Sequence, residues 1–277
     1  MDNTISEFLR SRRARISPED AGLPLTLNQR RVPGLRREEI AQLAGVSVDY
    51  YTRLEQGRVN NPSDAVFNSV ARVLHLSDAE REHLANMLHP EATEPLPERE
   101  ADPAVFRLVE MMETVPALVI DRRMSVVAYN RLADIIFGLT GHSELNLAKR
   151  TFLSPEVNET LSTWSAVAEE VVAHLTLQNG RHPSDERLNE LVDELSSSSL
   201  FRDLWSRHDV KRRQLLTLTV RLARVGEIEF TNLWLPLPSG SDLTLIAYTV
   251  DAGSEGESKL SELVRSLRSS PGDLSRE

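Results

Sequence analysis

Apolar residues recur at helical spacing through the first part of the chain. Ile5, Phe8 and Leu9 fall at i, i+3 and i+4, which predicts a first helix near residues 4–15. Pro18, Gly22, Pro24 and Pro33-Gly34 then break the pattern. A cluster of helices follows to about Met87. Residues 104–113 read as helix, and residues 117–120 and 125–129 as short strands turning at Asp121-Arg122-Arg123. Residues 130–137 return to helical spacing. A helical stretch runs from about 155 to 207 with a break at 180–183. Residues 215–224, 227–235 and 243–250 predict three more strands, with turns at Val225-Gly226 and Ser239-Gly240-Ser241-Asp242. Leu260, Leu263, Val264 and Leu267 give the tail a short docking helix.

Residues 89–102 gather prolines and acids, so they read as a linker. The expected organisation is therefore residues 1–88, an all-α unit of five helices; 89–102, the linker; 103–251, a second domain; and 252–277, a tail. Strands at both ends of the second domain with helices between them predict an α+β fold with an antiparallel sheet and a helical insertion.

Charge changes the picture. The chain of 277 residues carries −10, a balance that by itself disfavours a nucleic-acid partner. Residues 1–60, however, hold ten arginines against eight acids, so that part is +2 and the rest −12. A basic head on an acidic body can meet DNA with one face and repel it elsewhere. Cysteine is absent, which excludes disulfides, thiolate metal sites and a cysteine nucleophile. No apolar run approaches the roughly 18 residues of a membrane span. The N-terminus lacks the apolar core of a signal peptide, so a cytoplasmic protein is expected.

The segment from Arg36 to Ser47 places Ile40, Leu43 and Ala44 on one helix face. Gly45 supplies a positive φ to stop that helix. Ser47 N-caps the next helix, whose positive end Asp49 favours. Tyr51 and Leu54 point inward, and Gly57 ends it. Two short helices joined at a glycine turn are the geometry that lays a recognition helix in the major groove. The string REEIAQLAGVSVDYYTRLEQGR, continued by NPSDAVFNSVARVLHLSDAEREHL, resembles the helix-turn-helix of the phage-repressor-like (XRE, lambda-repressor-like) regulators over residues 35–88.

That resemblance implies roles. Arg37, and Arg36 before it, would lie against phosphate. Val48, Asp49, Thr52 and Arg53 would face base edges from the helix that Ser47 opens. Tyr50 would lie along backbone or bases, and Arg58 and Asn60 would meet the backbone after the helix. The chemistry is compatible, since guanidinium pairs with phosphate or with guanine O6/N7. Two readings remain for Arg53, base reader or internal partner of an acid, and two for Asp49, cytosine acceptor or helix-terminus charge. Upstream, RRVPGLRR at 30–37 resembles the MmyB-like branch, which adds Arg12, Arg13, Arg30 and Arg31 as phosphate candidates.

VPALVIDRRMSVVAYNRLADIIFG, NLAKRTFLSP, GRHPSDERLNELVDELS and FRDLWSRHDV extend the resemblance to about residues 103–251. The branch carries a PAS-like ligand-binding domain there, which implies a fatty-acid-like ligand. The chain departs from the branch at Ala223-Arg224, where a His-Pro pair is expected, so ligand identity can differ. An apolar cavity with one or two polar anchors suits an amphiphile. Candidate walls are Phe137, Trp164, Val167, Val171, Leu216, Leu218 and Trp234, each open to a plain core role. Candidate anchors are Arg150, His208, Arg212 and Arg221. Asn130 is either near the ligand or the cap of the helix it precedes.

No G-x-S-x-G, H-E-x-x-H or phosphate-binding glycine loop occurs, and the histidines are scattered, so no enzyme, metal or cofactor is expected. The expectation is a homodimeric, sequence-specific regulator, bound to double-stranded operator DNA in the nucleoid and to no membrane, that senses a small amphipathic ligand. The alternative is a second domain that only dimerises or binds a protein partner.

Overall fold

The computed structural model describes residues 5–23, 34–59, 61–89, 102–141, 145–154, 163–209, 215–237 and 242–269. The chain divides into two compact units. One gathers Met1–Glu94, Ala173–Glu194 and Arg202–Arg212; the other gathers Pro95–Val172, Leu195–Phe201 and Arg213–Glu277.

In the first unit α1 (Ile5–Arg15), α2 (Arg37–Ala44), α3 (Val48–Glu55), α4 (Asp64–Val73) and α5 (Asp78–Leu88) are the five expected helices. They enclose one core in which Phe8, Leu35, Ile40, Tyr51 and Leu54 are closed from solvent. Capping sets their ends. Ser63 accepts from Val66 N, and Ser77 forms a capping box with Glu80. Residues 173–194 and 202–212 belong to this unit although they lie far along the chain. Hydrophobic spacing marks their helices but not which core they join. They include the second half of α9 (Trp164–Arg181), most of α10 (Glu186–Leu195) and the end of α11 (Ser199–Ser206).

The second unit holds α6 (Pro103–Met111), β1 (Ala117–Ile120), β2 (Val126–Tyr129), α7 (Arg131–Phe137) and α8 (Leu147–Leu153). It continues, after the first half of α9, with β3 (Leu216–Leu222), β4 (Gly226–Pro236), β5 (Thr244–Thr249) and α12 (Glu255–Ser269). The strands form one antiparallel sheet in the order β2-β1-β5-β4-β3, with α7 to α11 inserted between β2 and β3. The α+β expectation with a helical insertion therefore holds.

Strand alternation gives the sheet two functional sides. Ala117, Val119, Ala128 and Leu245 pack with Val105 and Val109 of α6. Leu118, Leu218, Asn232, Ile246 and Tyr248 face a cavity on the other side. Two elements differ from expectation. α8 was not foreseen; it is seven residues long and capped by Asn146, whose amide also donates to Arg123 O at 2.8 Å. α12 is a helix of 15 residues, longer than expected, with Leu260, Leu263, Val264 and Leu267 buried as their spacing predicts. The linker beyond His89 and the turn at 239–241 lie outside the described residues.

Candidate functional site

The reading helix is built by its caps. α2 ends at Gly45, whose φ of 70° is left-handed, and its N–H and that of Val46 donate to the carbonyls of Gln42 and Ala41. Ser47 then accepts from Tyr50 N at 3.1 Å and starts α3. Tyr51 and Leu54 turn to the core, and the opposite face presents Val48, Asp49 and Arg53 to solvent, with Tyr50 and Thr52 half-buried beside them. Val48 is 44% exposed, and an apolar side chain there is suited to contact with a thymine methyl. Arg53 Nε lies 3.2 Å from Asp49 Oδ2, and its guanidinium lies 5.9 Å from the Tyr50 ring centroid. Arg53 thus has the internal acidic partner that was one of its two readings, in an exposed pair that water and a ligand can exchange.

Other arginines are committed elsewhere. Glu55, at the end of α3, is wholly closed from solvent. It accepts from Arg37 at 2.7 and 2.9 Å and from Arg13 at 3.1 Å. Arg13 also donates to Leu35 O at 2.9 Å. Arg12 is 2% exposed. It pairs with Glu80 at 2.7 Å, lies over the Phe8 ring and donates to the carbonyls of Arg207 and His208. Burial brings its pKa down to about 10 despite Glu80. Arg12 and Arg13 are therefore structural ties rather than the phosphate contacts expected, and Arg37 is spent largely on α3. Arg36 and Arg58 are exposed, and Asn60, Arg30 and Arg31 lie outside the described residues. Nothing in the spacing of Glu55 distinguishes it from a solvated acid, so its role was not readable beforehand.

In the second unit, β1, β3, β4 and β5 with α7, α8 and α9 line a half-open cavity of about 400 Å³ whose wall is mostly apolar. That size suits a small organic ligand. Phe137, Val167, Val171, Leu216, Leu218 and Trp234 stand on its wall among the expected residues. Trp164 does not: its indole donates to Thr151 O at 3.0 Å and pins the start of α9 to α8.

The expected anchors divide. Arg150 lines the cavity and donates to the carbonyls of Phe137 and Gly138 at 2.5 and 2.8 Å, closing the end of α7. Arg221 reaches the rim but is exposed and donates to Glu227 at 2.7 and 3.1 Å. His208 is no cavity residue; it is buried in the helical unit beside Arg12, where burial lowers its pKa to about 4. Arg212 lies outside the described residues. Asn130 is a clasp: its Oδ1 accepts from Ala117 N and Ala133 N, and its amide donates to Met112 O and Val115 O. Its capping reading stands and its ligand reading does not.

Asn232 and Tyr248 were missed. They are register partners on β4 and β5, both buried and both on the cavity wall. Alternation on those strands was enough to place them on the inner face. Ala223, the first residue of the Ala-Arg pair where a His-Pro pair was expected, also lines the cavity. Among the described residues, no cluster of three or more metal-ligating side chains occurs, and no helix is long and apolar enough to cross a membrane.

A helix-turn-helix with an exposed reading face and an α+β unit with an apolar cavity, in one chain, define a DNA-binding transcription regulator with a ligand-binding domain. Residues 101–263 match the family model for the MmyB-like transcription regulator ligand binding domain, and residues 4–84 match a helix-turn-helix domain. The chain belongs to the MmyB-like transcription regulators. No curated protein matches it.

Proposed function

We propose that the protein works as a homodimer in which two α3 helices read the half-sites of a two-fold symmetric operator, spaced near one helical turn or a multiple of it. Its effector is a small amphipathic molecule of fatty-acid type, seated in the cavity of the second unit. The observation that carries this reading is the half-open, mainly apolar cavity of about 400 Å³ with a few polar groups on its wall, in a chain that also holds a helix-turn-helix. Arg53, with Val48, Asp49, Tyr50 and Thr52 beside it, contacts bases; Arg36 and Arg58 contact phosphates. The chain acts in the cytoplasm, at the nucleoid when bound to operator, with neither a catalytic step nor a cofactor. Ligand changes operator affinity only to the extent that it binds the two DNA-binding states unequally.

Native mass spectrometry of the purified protein, followed by denaturing extraction, tests the reading. A dimer mass that exceeds two chains by one or two amphiphile masses supports it. A monomer that stays monomeric on operator DNA sinks the half-site geometry, and a released polar metabolite sinks the ligand class.

A further inference from the structure

α6 carries more apolar surface than its own unit covers. All of its residues but Arg107 and Glu110 are apolar, yet only Val105 and Val109 are buried, packed against the sheet. Helical spacing puts Ala104, Leu108 and Met111 on a second stripe, at i, i+4 and i+7. All three are exposed, Leu108 to 45% and Met111 to 71%. A helix that is apolar on more than one side is normally covered on more than one side. Single surface leucines need no explanation, but large apolar side chains gathered on one short helix mark an interaction surface.

The charges beside the stripe select what covers it. Arg107 borders the stripe, and Glu110 lies beyond it on the same side. Neither side chain has an ion pair or hydrogen bond among the described residues. Past the end of α6, Glu113 pairs with Arg268 of α12 at 2.9 Å in solvent, a polar border to the apolar stripe. A stripe with one cation and one anion along the same border is complementary to itself when turned around. In an antiparallel pair of α6 helices crossing at Leu108, Ala104 of each copy faces Met111 of the other, and Leu108 faces Leu108. The same register brings the Arg107 of each copy to the Glu110 of the other, twice, as a two-fold axis requires. A parallel pair would set this border against the uncharged border of the other copy and form neither ion pair.

We infer that α6 is the centre of an isologous contact between two copies of this chain, antiparallel, with Leu108 at the two-fold axis and Arg107 paired with Glu110 across it. This rests on the homodimer proposed for the chain and says where its subunits meet. α6 is about 13 Å long, which makes a small interface, so the dimer dissociates on dilution.

The experiment is sedimentation velocity of the full chain across a dilution series. The unmodified chain is expected to show a reversible monomer–dimer equilibrium. Leu108→Glu should raise its dissociation constant about thirty-fold. Arg107→Glu and Glu110→Arg each set like charges opposite one another, and each should raise it about five-fold. An equimolar mixture of these two singly reversed chains restores both ion pairs in the mixed dimer, and should regain the unmodified affinity to within about two-fold. Mixing repairs nothing inside either chain, so recovery reports the contact between copies alone. A dimer indifferent to Leu108→Glu, or reversed chains that stay weak when mixed, overturns α6 as the contact and leaves the homodimer standing. A melting temperature lowered by Leu108→Glu with the dimer unchanged also overturns it, since the stripe is then covered within its own chain. If the unmodified chain is monomeric at every concentration, the homodimer reading itself falls, a result read before any variant is made.

Discussion

Glu55 and Arg53 stand two residues apart on α3 and do opposite work. The Glu55 carboxylate is sealed and ties α3 to α1 through Arg13 and to α2 through Arg37. Removing one member of a buried ion pair strands the others, so Glu55→Ala should cost about 3–5 kcal/mol in the urea unfolding of the helical unit. Arg53 is half-exposed, and its bond to Asp49 is a surface pair at i, i+4. Arg53→Ala should leave stability within about 0.5 kcal/mol and weaken specific operator binding by about 1–3 kcal/mol, with relaxed base preference. A large stability loss for Arg53→Ala, or none for Glu55→Ala, would reverse the assignment of the two side chains. The reading face was legible because helix period alone separates Tyr51 and Leu54 from Val48 and Arg53. The buried acid was not, because burial of a charge is decided by partners on other helices, and sequence spacing does not report those.

At the level of elements, the contact between α5 and the last turn of α9 is set by the smallest side chain available. A Cβ placed on Gly180 would lie 2.5 Å from Cε1 of His83, a ring that is itself held edge-on to Phe8 at 5.1 Å. The ring cannot retreat without moving the core aromatic, so Gly180→Ala should destabilise the helical unit by about 1–3 kcal/mol, although alanine is the better helix former. A thermal melt of the full chain checks this; an unchanged or higher melting temperature would show that α9 does not pack on α5 this closely. Here the sequence was half readable. The glycine was taken as part of a chain break before Pro183, and α9 does end at Arg181. Its packing role was hidden because the partner histidine is 97 positions away. The strands were read almost to the residue, since alternation on a sheet covered by helices is a local signal. The cavity was legible in its apolar walls, and alternation also puts Asn232 and Tyr248 on the inner face; their pairing was not legible, because it depends on register between β4 and β5.

On the scale of the whole chain, the helical unit is not made by its N-terminal residues alone. Residues 202–212 bring His208 and its carbonyl to Arg12, 196 positions away, and residues 173–194 bring Gly180 to His83. His83 and His208 are thereby buried in that unit, which also buries His174 and His182. Burial lowers the His83 pKa to about 3, with the charges of Arg12, His208 and Arg181 acting in the same direction. His208 falls to about 4, lowered by burial, Arg12 and Arg15 against the opposing pull of Asp209, with Glu7 3.8 Å away. Each is therefore neutral when folded and takes up a proton when the chain unfolds near its ordinary pKa of about 6.5. The unfolded state binds more protons between that value and the folded pKa, so stability is full above about pH 6.5 and is lost progressively as pH falls towards 4. The loss between pH 7 and pH 5 should be on the order of 1–2 kcal/mol for each histidine, read as a lower urea midpoint. His83→Gln and His208→Gln should each flatten that dependence, whatever they do to stability at pH 7. A midpoint that holds constant from pH 7 to pH 5 in the unmodified chain would mean that both rings are open to solvent, and that the arginine tie between α1 and residues 207–208 is not closed.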